Sequence, residues 1–304
     1  MNAAPIVGTP VVRPGHFHRL GIACEPRQHM DAWLRRVLGA RPLQARTRQV
    51  HGLPIGTPDG NHWQESGVDI QLLWLGQDPV ALFTATDASG PLGRYVARYG
   101  PGLHSVAWTI DDLWAAETLL RRRNVRITGA DVPGRHFFMH PADTSGLLVE
   151  WTDSEFVDDP RDGGPTVPGR PGLVDVQGVA WLTVTVRDAR KSAELLASLM
   201  ETAPAPGHPV GQHEDSVDLR IGDVRVRLVS PLSGRSRYAE ALERHGERLH
   251  GVCLVVDELD TALGQLEDEG VTVVERAGPQ AWTDPASTLG LPLEWIDRRA
   301  LPAG

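Results

Sequence analysis

Four times along the chain a short run of β-forming residues passes into a stretch with helical periodicity. The four are "RLGIACEPRQHMDAWLRRVLG", "SVAWTIDDLWAAETLLRRRNV", "WLTVTVRDARKSAELLASLM" and "GVCLVVDELDTALGQLEDEGV". In each, alternating or continuous β-formers predict a short strand. Apolar residues then recur at i, i+3, i+4 and i+7, as at Leu113, Ala116, Leu119 and Leu120, which predicts a helix with one buried face. Asp111, Asp188 and Asp257 stand where N-caps are expected. Gly39 and Gly270 fall just past two of the helices, where a left-handed C-cap is expected. Further strands such as "GVDIQLLWL", "VALFTA", "GLLVEW" and "DVRVRLVS" follow the helices, so the repeating unit reads β-α-β-β-β, present four times.

The units also match in pairs. "PADTSGLLVEWTD" at Pro141 to Asp153 aligns without a gap on "PASTLGLPLEWID" at Pro285 to Asp297, pairing Glu150 with Glu294 and Trp151 with Trp295. "LHSVAWTIDDL" and "VALFTA" likewise return as "LHGVCLVVDEL" and "VRLVSP". One such unit is too small to enclose a core, whereas two side by side can curl their strands into a cup. The fold class is therefore α+β, with four βαβββ units paired into two β-cup domains. The expected domains are 14–153 and 176–298, joined by a linker at 154–175 that is rich in Pro, Gly and Asp and has no apolar periodicity.

Composition narrows the partners. The 304 residues are 41% hydrophobic and 23% charged, as in a globular protein of two ordinary domains. The net charge of −9 argues against a nucleic-acid partner, which would require a basic face. No apolar run approaches the length of a membrane span, and the N-terminus lacks a signal-peptide pattern. Cys24 and Cys253 sit in apolar runs and read as buried thiols in a reducing compartment. The expectation is a cytoplasmic protein, monomer or homodimer, whose partner is a small molecule.

The residues resemble the vicinal oxygen chelate superfamily of glyoxalases, epimerases, bleomycin-resistance proteins and extradiol dioxygenases. "GLHSVAWTIDDLWAAETLLRRRNVRI", "FFMHPADTSGLLVEW" and "SGPLGRYVARYGPGLH" make the first half most similar to methylmalonyl-CoA epimerase. The resemblance implies a divalent ion held by one ligand from each of four strands, polarising a carbonyl so that an enolate can form. It implies an isomerase, epimerase or lyase acting on a small carbonyl or acyl-CoA-like molecule. Carried onto this chain, the ligand slots hold Arg19, Ala81, Ser105 and Glu150 in the first half. In the second they hold Trp181, Arg227, Gly251 and Glu294. Only the glutamates match, and one carboxylate without imidazoles makes no tight transition-metal site. The cofactor is thus unknown: the family implies a divalent metal and the ligand pattern argues against it.

His18, His104 and His250 each lie one residue before a slot. Strand alternation points them away from the cup, and a β-bulge would turn them back in, giving His18, His104 and Glu150 as the metal set if one exists. Arg19 and Glu150 facing each other would be either a structural ion pair or an oxyanion anchor with a general base. Arg227 and Glu294 could pair in the same way. Ala81 and Ser105 leave room in the first cup, whereas Trp181 and Arg227 are expected to fill the second. Trp74 and Trp108 are candidates for the ligand wall, together with His62 and Trp63 on a Gly/Pro-rich loop that also carries His51 and Glu65. A metal-free binding protein of the bleomycin-resistance type is the alternative reading.

Overall fold

The structure is a computed structural model and describes residues 11–43, 45–46, 62–65, 67–129, 136–156, 159, 161, 171–205 and 211–301. The first half runs β1 (Phe17–Ala23), α1 (Arg27–Leu38), β2 (Arg41–Pro42), β3 (Ala45–Arg46), β4 (His62–Glu65), β5 (Val68–Leu75) and β6 (Asp78–Ala85). It continues through α2 (Pro91–Tyr99), β7 (Gly102–Thr109), α3 (Leu113–Arg122), β8 (Ile127–Thr128), β9 (His136–Met139), β10 (Val149–Thr152) and β11 (Glu155–Phe156). The second half runs β12 (Val176–Thr185), α4 (Ala189–Leu199), β13 (Ala203–Pro204), β14 (Glu214–Ile221), β15 (Val224–Pro231) and α5 (Ala239–His245). It ends with β16 (Arg248–Val256), α6 (Leu259–Asp268), β17 (Val273–Ala277), β18 (Gln280–Thr283) and β19 (Leu293–Asp297).

Strand order is the same in both halves. The first sheet reads β2-β5-β6-β1-β7-β10-β9-β8, with β4 beside β5, and the second reads β13-β14-β15-β12-β16-β19-β18-β17. In each half the opening strands of two units lie antiparallel at the centre, β1 on β7 and β12 on β16. Each is flanked by a parallel neighbour, β6 and β10 in one half, β15 and β19 in the other. Duplicated βαβββ units thus form each curved sheet.

Helix starts differ by one residue from the sequence expectation at two places. Asp112, not Asp111, caps α3 by accepting from the Ala115 amide, and Glu258, not Asp257, precedes α6 without a side-chain cap. Asp257 instead pairs with Arg298 at 3.2 Å. Asp188 caps α4 as its position suggests, and Gly39 and Gly270 take the positive φ that a helix end favours.

Apolar residues on the helix-facing side of the sheets form one core cluster that runs through both halves, from Phe17, Leu34 and Trp108 to Leu228, Leu254 and Trp295. A separate cluster lines the opposite face of the first sheet (Trp74, Ala81, Phe83, Leu92 and Phe156 among them), and a third lines that of the second sheet, with Trp181, Cys253, Val255 and Ile296. These opposite faces are the insides of the two cups.

The halves meet through contacts made twice. The Phe17 amide of β1 donates to Asp223 at 2.5 Å, and the Val179 amide of β12 donates to Asp78 at 2.6 Å. Gly76 and Gly222 occupy the equivalent hairpin turns at φ near 60°, where a Cβ would lie 2.5 Å from Gln177 and 2.2 Å from Gly15 backbone atoms. Any other residue would push the halves apart there. No described helix is long and apolar enough to cross a membrane.

Candidate functional site

Three β-bulges decide what the cups contain. The β1–β7 ladder slips between Phe17 and Arg19 and again between Gly21 and Ile22, leaving His18 and His104 as the extra residues. The β12–β16 ladder slips in the matching place, between Thr183 and Val184, leaving His250 extra. A bulge sets two consecutive residues of one strand against one of its partner and breaks strict alternation. Simple alternation would direct all three histidines outward, and the structure corrects that reading. His18 stacks on Phe156 with ring centroids 4.2 Å apart, His104 packs on Phe83 and Tyr95 at 5.7 and 4.7 Å, and His250 packs on Tyr238 at 5.2 Å.

In the first cup Arg19 and Glu150 do face each other, with Nη2 donating to Oε1 at 2.5 Å, Glu150 buried and Arg19 partly buried. Arg19 Nη1 also donates to His18 Nδ1 at 2.6 Å, so a neutral His18 keeps its proton on Nε2, 3.1 Å from the Ser154 hydroxyl. Burial holds the His18 pKa well below the usual range, assisted by the charges of Arg19 and Arg161. Glu150 Oε2 is buried without a hydrogen-bond partner among the described residues. Ala81 is fully buried against Trp74 and Phe83, and Ser105, also buried, touches His104 Nδ1 at 3.1 Å. Phe156 of β11 lies over this face, its ring edge-on to Trp74 at 5.6 Å. Trp108 is elsewhere: it belongs to the main core, and its indole donates to the Ile221 carbonyl across the junction of the halves. His62 and Trp63 lie on β4; their side chains, and the whole of His51, fall outside the described residues.

The second cup departs from the expectation that Trp181 and Arg227 would fill it. Trp181 and Arg227 are buried and pack on each other, the guanidinium 4.3 Å from the ring centroid. Arg227 does not pair with Glu294. It makes a two-pronged bond, 2.9 Å on each arm, to Asp218, its direct cross-strand neighbour on β14. Glu294 accepts instead from the Trp181 indole at 3.0 Å and from the Tyr238 hydroxyl at 3.4 Å. Burial raises its pKa above the ordinary carboxylate value, against the lowering effect of the Trp181 hydrogen bond and of the Arg227 charge.

Beside these groups a cavity of about 520 Å³ remains, bordered by Arg237, Tyr238, Arg248, His250, Trp282 and Glu294. Tyr99 and the Pro101–Leu103 segment of the first half complete its wall. Arg237 lies flat on Trp282, 3.6 Å from the ring centroid, and donates to Glu275. His250 is depressed to about 4 by burial and by the neighbouring Arg248, so it is neutral at neutral pH. Sequence reasoning singled out none of Arg237, Tyr238, Arg248 and Trp282. The available signal was the return of "LHSV" as "LHGV", which puts His250 where His104 stands.

The four slots do not suit the divalent ion implied by the fold family. Arg19 sits on the one carboxylate of the first set, and among the described residues no group of three or more His, Cys, Asp or Glu side chains is arranged to hold a metal. His18, His104 and Glu150 therefore do not converge as a ligand set. Each already has a protein partner.

Residues 179–285 match the model of the glyoxalase/bleomycin resistance protein/dioxygenase superfamily. The ethylmalonyl-CoA/methylmalonyl-CoA epimerase of Cereibacter sphaeroides is 26% identical over 113 residues, 35% of this chain and 83% of that protein. Among solved structures, a mutant of 4-hydroxymandelate synthase from Streptomyces coelicolor superposes with a TM-score of 0.64 at 15% identity, over 96% of this chain and 94% of that one. A xylose isomerase-like TIM barrel/4-hydroxyphenylpyruvate dioxygenase fusion protein gives 0.58 at 15% identity, over 97% of this chain and 51% of that one. These structural likenesses speak to the fold. The second half is thus similar in sequence to the glyoxalase, bleomycin resistance protein and dioxygenase superfamily, and the tandem of two cups is a fold shared with those solved structures along the length of the chain.

Proposed function

We propose that this protein binds a small carbonyl or acyl-thioester compound in the second cup without a divalent ion in the four slots, and that Glu294 is the group able to exchange a proton with it. The cavity of about 520 Å³ carries this reading, because it is large enough for a small organic molecule and brings aromatic walls, guanidinium groups and a buried carboxyl together. A carboxyl whose affinity for protons is raised by burial is a stronger base than an ordinary carboxylate, which suits general-base work. Glu294 would take a proton from the carbon beside a carbonyl, and the enolate oxygen would be held by a neighbouring donor. The relative named as an epimerase favours that chemistry over simple sequestration.

The test is to titrate the full chain with small ketones, 2-oxo acids and CoA thioesters, following tryptophan fluorescence, and then to follow solvent deuterium entering bound compounds by NMR. Saturable quenching, with exchange lost in Glu294→Gln, is the expected result. Saturable quenching with no exchange would leave a binding protein. No quenching by any compound would remove the reading.

A second reading places the chemistry in the first cup, with Arg19 as oxyanion anchor and Glu150 as base. The Glu150 oxygen buried without a partner favours it. It predicts that Glu150→Gln abolishes exchange while Glu294→Gln leaves it intact.

A further inference from the structure

We infer that the ligand of the second cup is an organic anion, and that its negative group is held at the junction of the two halves by Arg248. This rests on the reading of that cavity as the ligand site. Three arginines border the cavity, and two of them are already neutralised: Arg237 pairs with Glu275 and Arg244 with Glu240. The remaining carboxylates on the wall are also engaged. Asp284 accepts from the Ala286 amide at 3.0 Å, and Glu294 accepts from Trp181.

Arg248 is held differently. It donates to the Tyr95 hydroxyl at 2.7 Å, to the Leu249 carbonyl at 3.3 Å and to the Leu103 carbonyl at 3.5 Å. Among the described residues no carboxylate lies within ion-pair distance of it. Its guanidinium lies over the Tyr99 ring, 4.8 Å from the centroid. A permanent cation half-buried among dipoles and rings lacks the counter-charge that would offset its loss of hydration. An anion entering the cavity supplies that charge, and the planar fork can grip a carboxylate or a phosphate on two oxygens.

The arrangement also gives the first half a part in recognition. Tyr95 and Tyr99 stand on α2, and the Tyr95 hydroxyl donates to the Leu103 carbonyl at 2.5 Å while accepting from Arg248. The guanidinium thus belongs to one half and its orientation to the other. Tyr95 and Tyr99 are positioning residues, acting on the ligand through Arg248.

The experiment compares phenylacetate, its neutral isostere phenylacetamide and phenyl phosphate as calorimetric ligands of the full chain, chosen because the cavity wall is aromatic. One charge-assisted hydrogen bond is worth about tenfold or more in affinity, so the acid should bind roughly tenfold tighter than the amide. Arg248→Gln should erase that preference, Arg248→Lys should keep part of it, and Tyr99→Ala should reduce it with circular dichroism unchanged. Phenyl phosphate binding tighter than the acid would assign the anion as a phosphate, and the reverse order as a carboxylate. If the amide matches the acid, or Arg248→Gln and Arg248→Lys both keep the full preference, the inference fails while the cavity reading stands. If no probe binds, both fail.

Discussion

Replacing Arg227 by Met should destabilise the protein. Arg227 and Asp218 are 3% and 0% exposed, and two 2.9 Å bonds join them. Their mutual attraction largely repays the cost of taking both charges out of water, so the intact pair adds little net stability. Losing the cation alone leaves Asp218 charged and dry, a penalty of about 3–5 kcal/mol. Unfolding entropy is about 2 cal/mol/K per residue, so for a 304-residue chain unfolding as one unit the Tm should fall by about 5–8 °C. The fall would be about twice that if the second half unfolds alone. Paired substitution Arg227→Met/Asp218→Leu should recover most of the loss, because no charge then remains buried. Differential scanning calorimetry on the four proteins of this cycle measures the coupling directly. A loss below about 1 kcal/mol for Arg227→Met, or a double variant no better than the single, would refute the reasoning.

Asp78, whose carboxylate accepts from the Val179 amide at the junction, is pushed up by burial to about 6. A carboxyl more basic folded than unfolded binds its proton more tightly in the native state, so its contribution should be lost as pH rises from about 4 to 6. Chemical denaturation across that window should show a slope that Asp78→Asn flattens. Phe156→Ala should cost about 3–5 kcal/mol and shift tryptophan emission to the red, because it uncovers Trp74 and the neutral His18. An unshifted spectrum would mean that β11 does not close the first cup. EDTA treatment should leave Tm and probe affinity unchanged, and a Tm drop reversed by added divalent ion would contradict the metal-independent reading.

The periodicity of the four units was enough to yield the fold. Strands alternate with period two, helices with a period near 3.6, and each unit carries both signals in the same order. The contents of the cups were less legible, because they depend on single-residue slips. Alternation alone sends His18, His104 and His250 outward, and nothing in "FHRLGIA" or "LHSV" announces the bulges that turn them back. The Arg19–Glu150 pair could be read because each residue occupies an aligned slot. The Arg227–Asp218 pair could not, because it depends on the register of β14 against β15. Likewise Trp74 is inside the cup and Trp108 in the core, although both are strand tryptophans. Which pleat a residue occupies after a bulge is a tertiary outcome.

The doubled junction between the halves has a consequence for how the molecule could change. Phe17 with Asp223 and Val179 with Asp78 are corresponding contacts whose acceptors sit one position apart in their hairpins, close to the isologous geometry that two copies of a chain form about a two-fold axis. In a dimer of identical subunits every substitution near the axis appears on both sides at once, so a residue that improves one pocket is imposed on the other. A tandem chain is free of that constraint. Each lobe can drift while the partner lobe keeps the seam intact. Arg19 against Trp181 and Ala81 against Arg227 are differences of this kind, which a symmetric assembly could not hold.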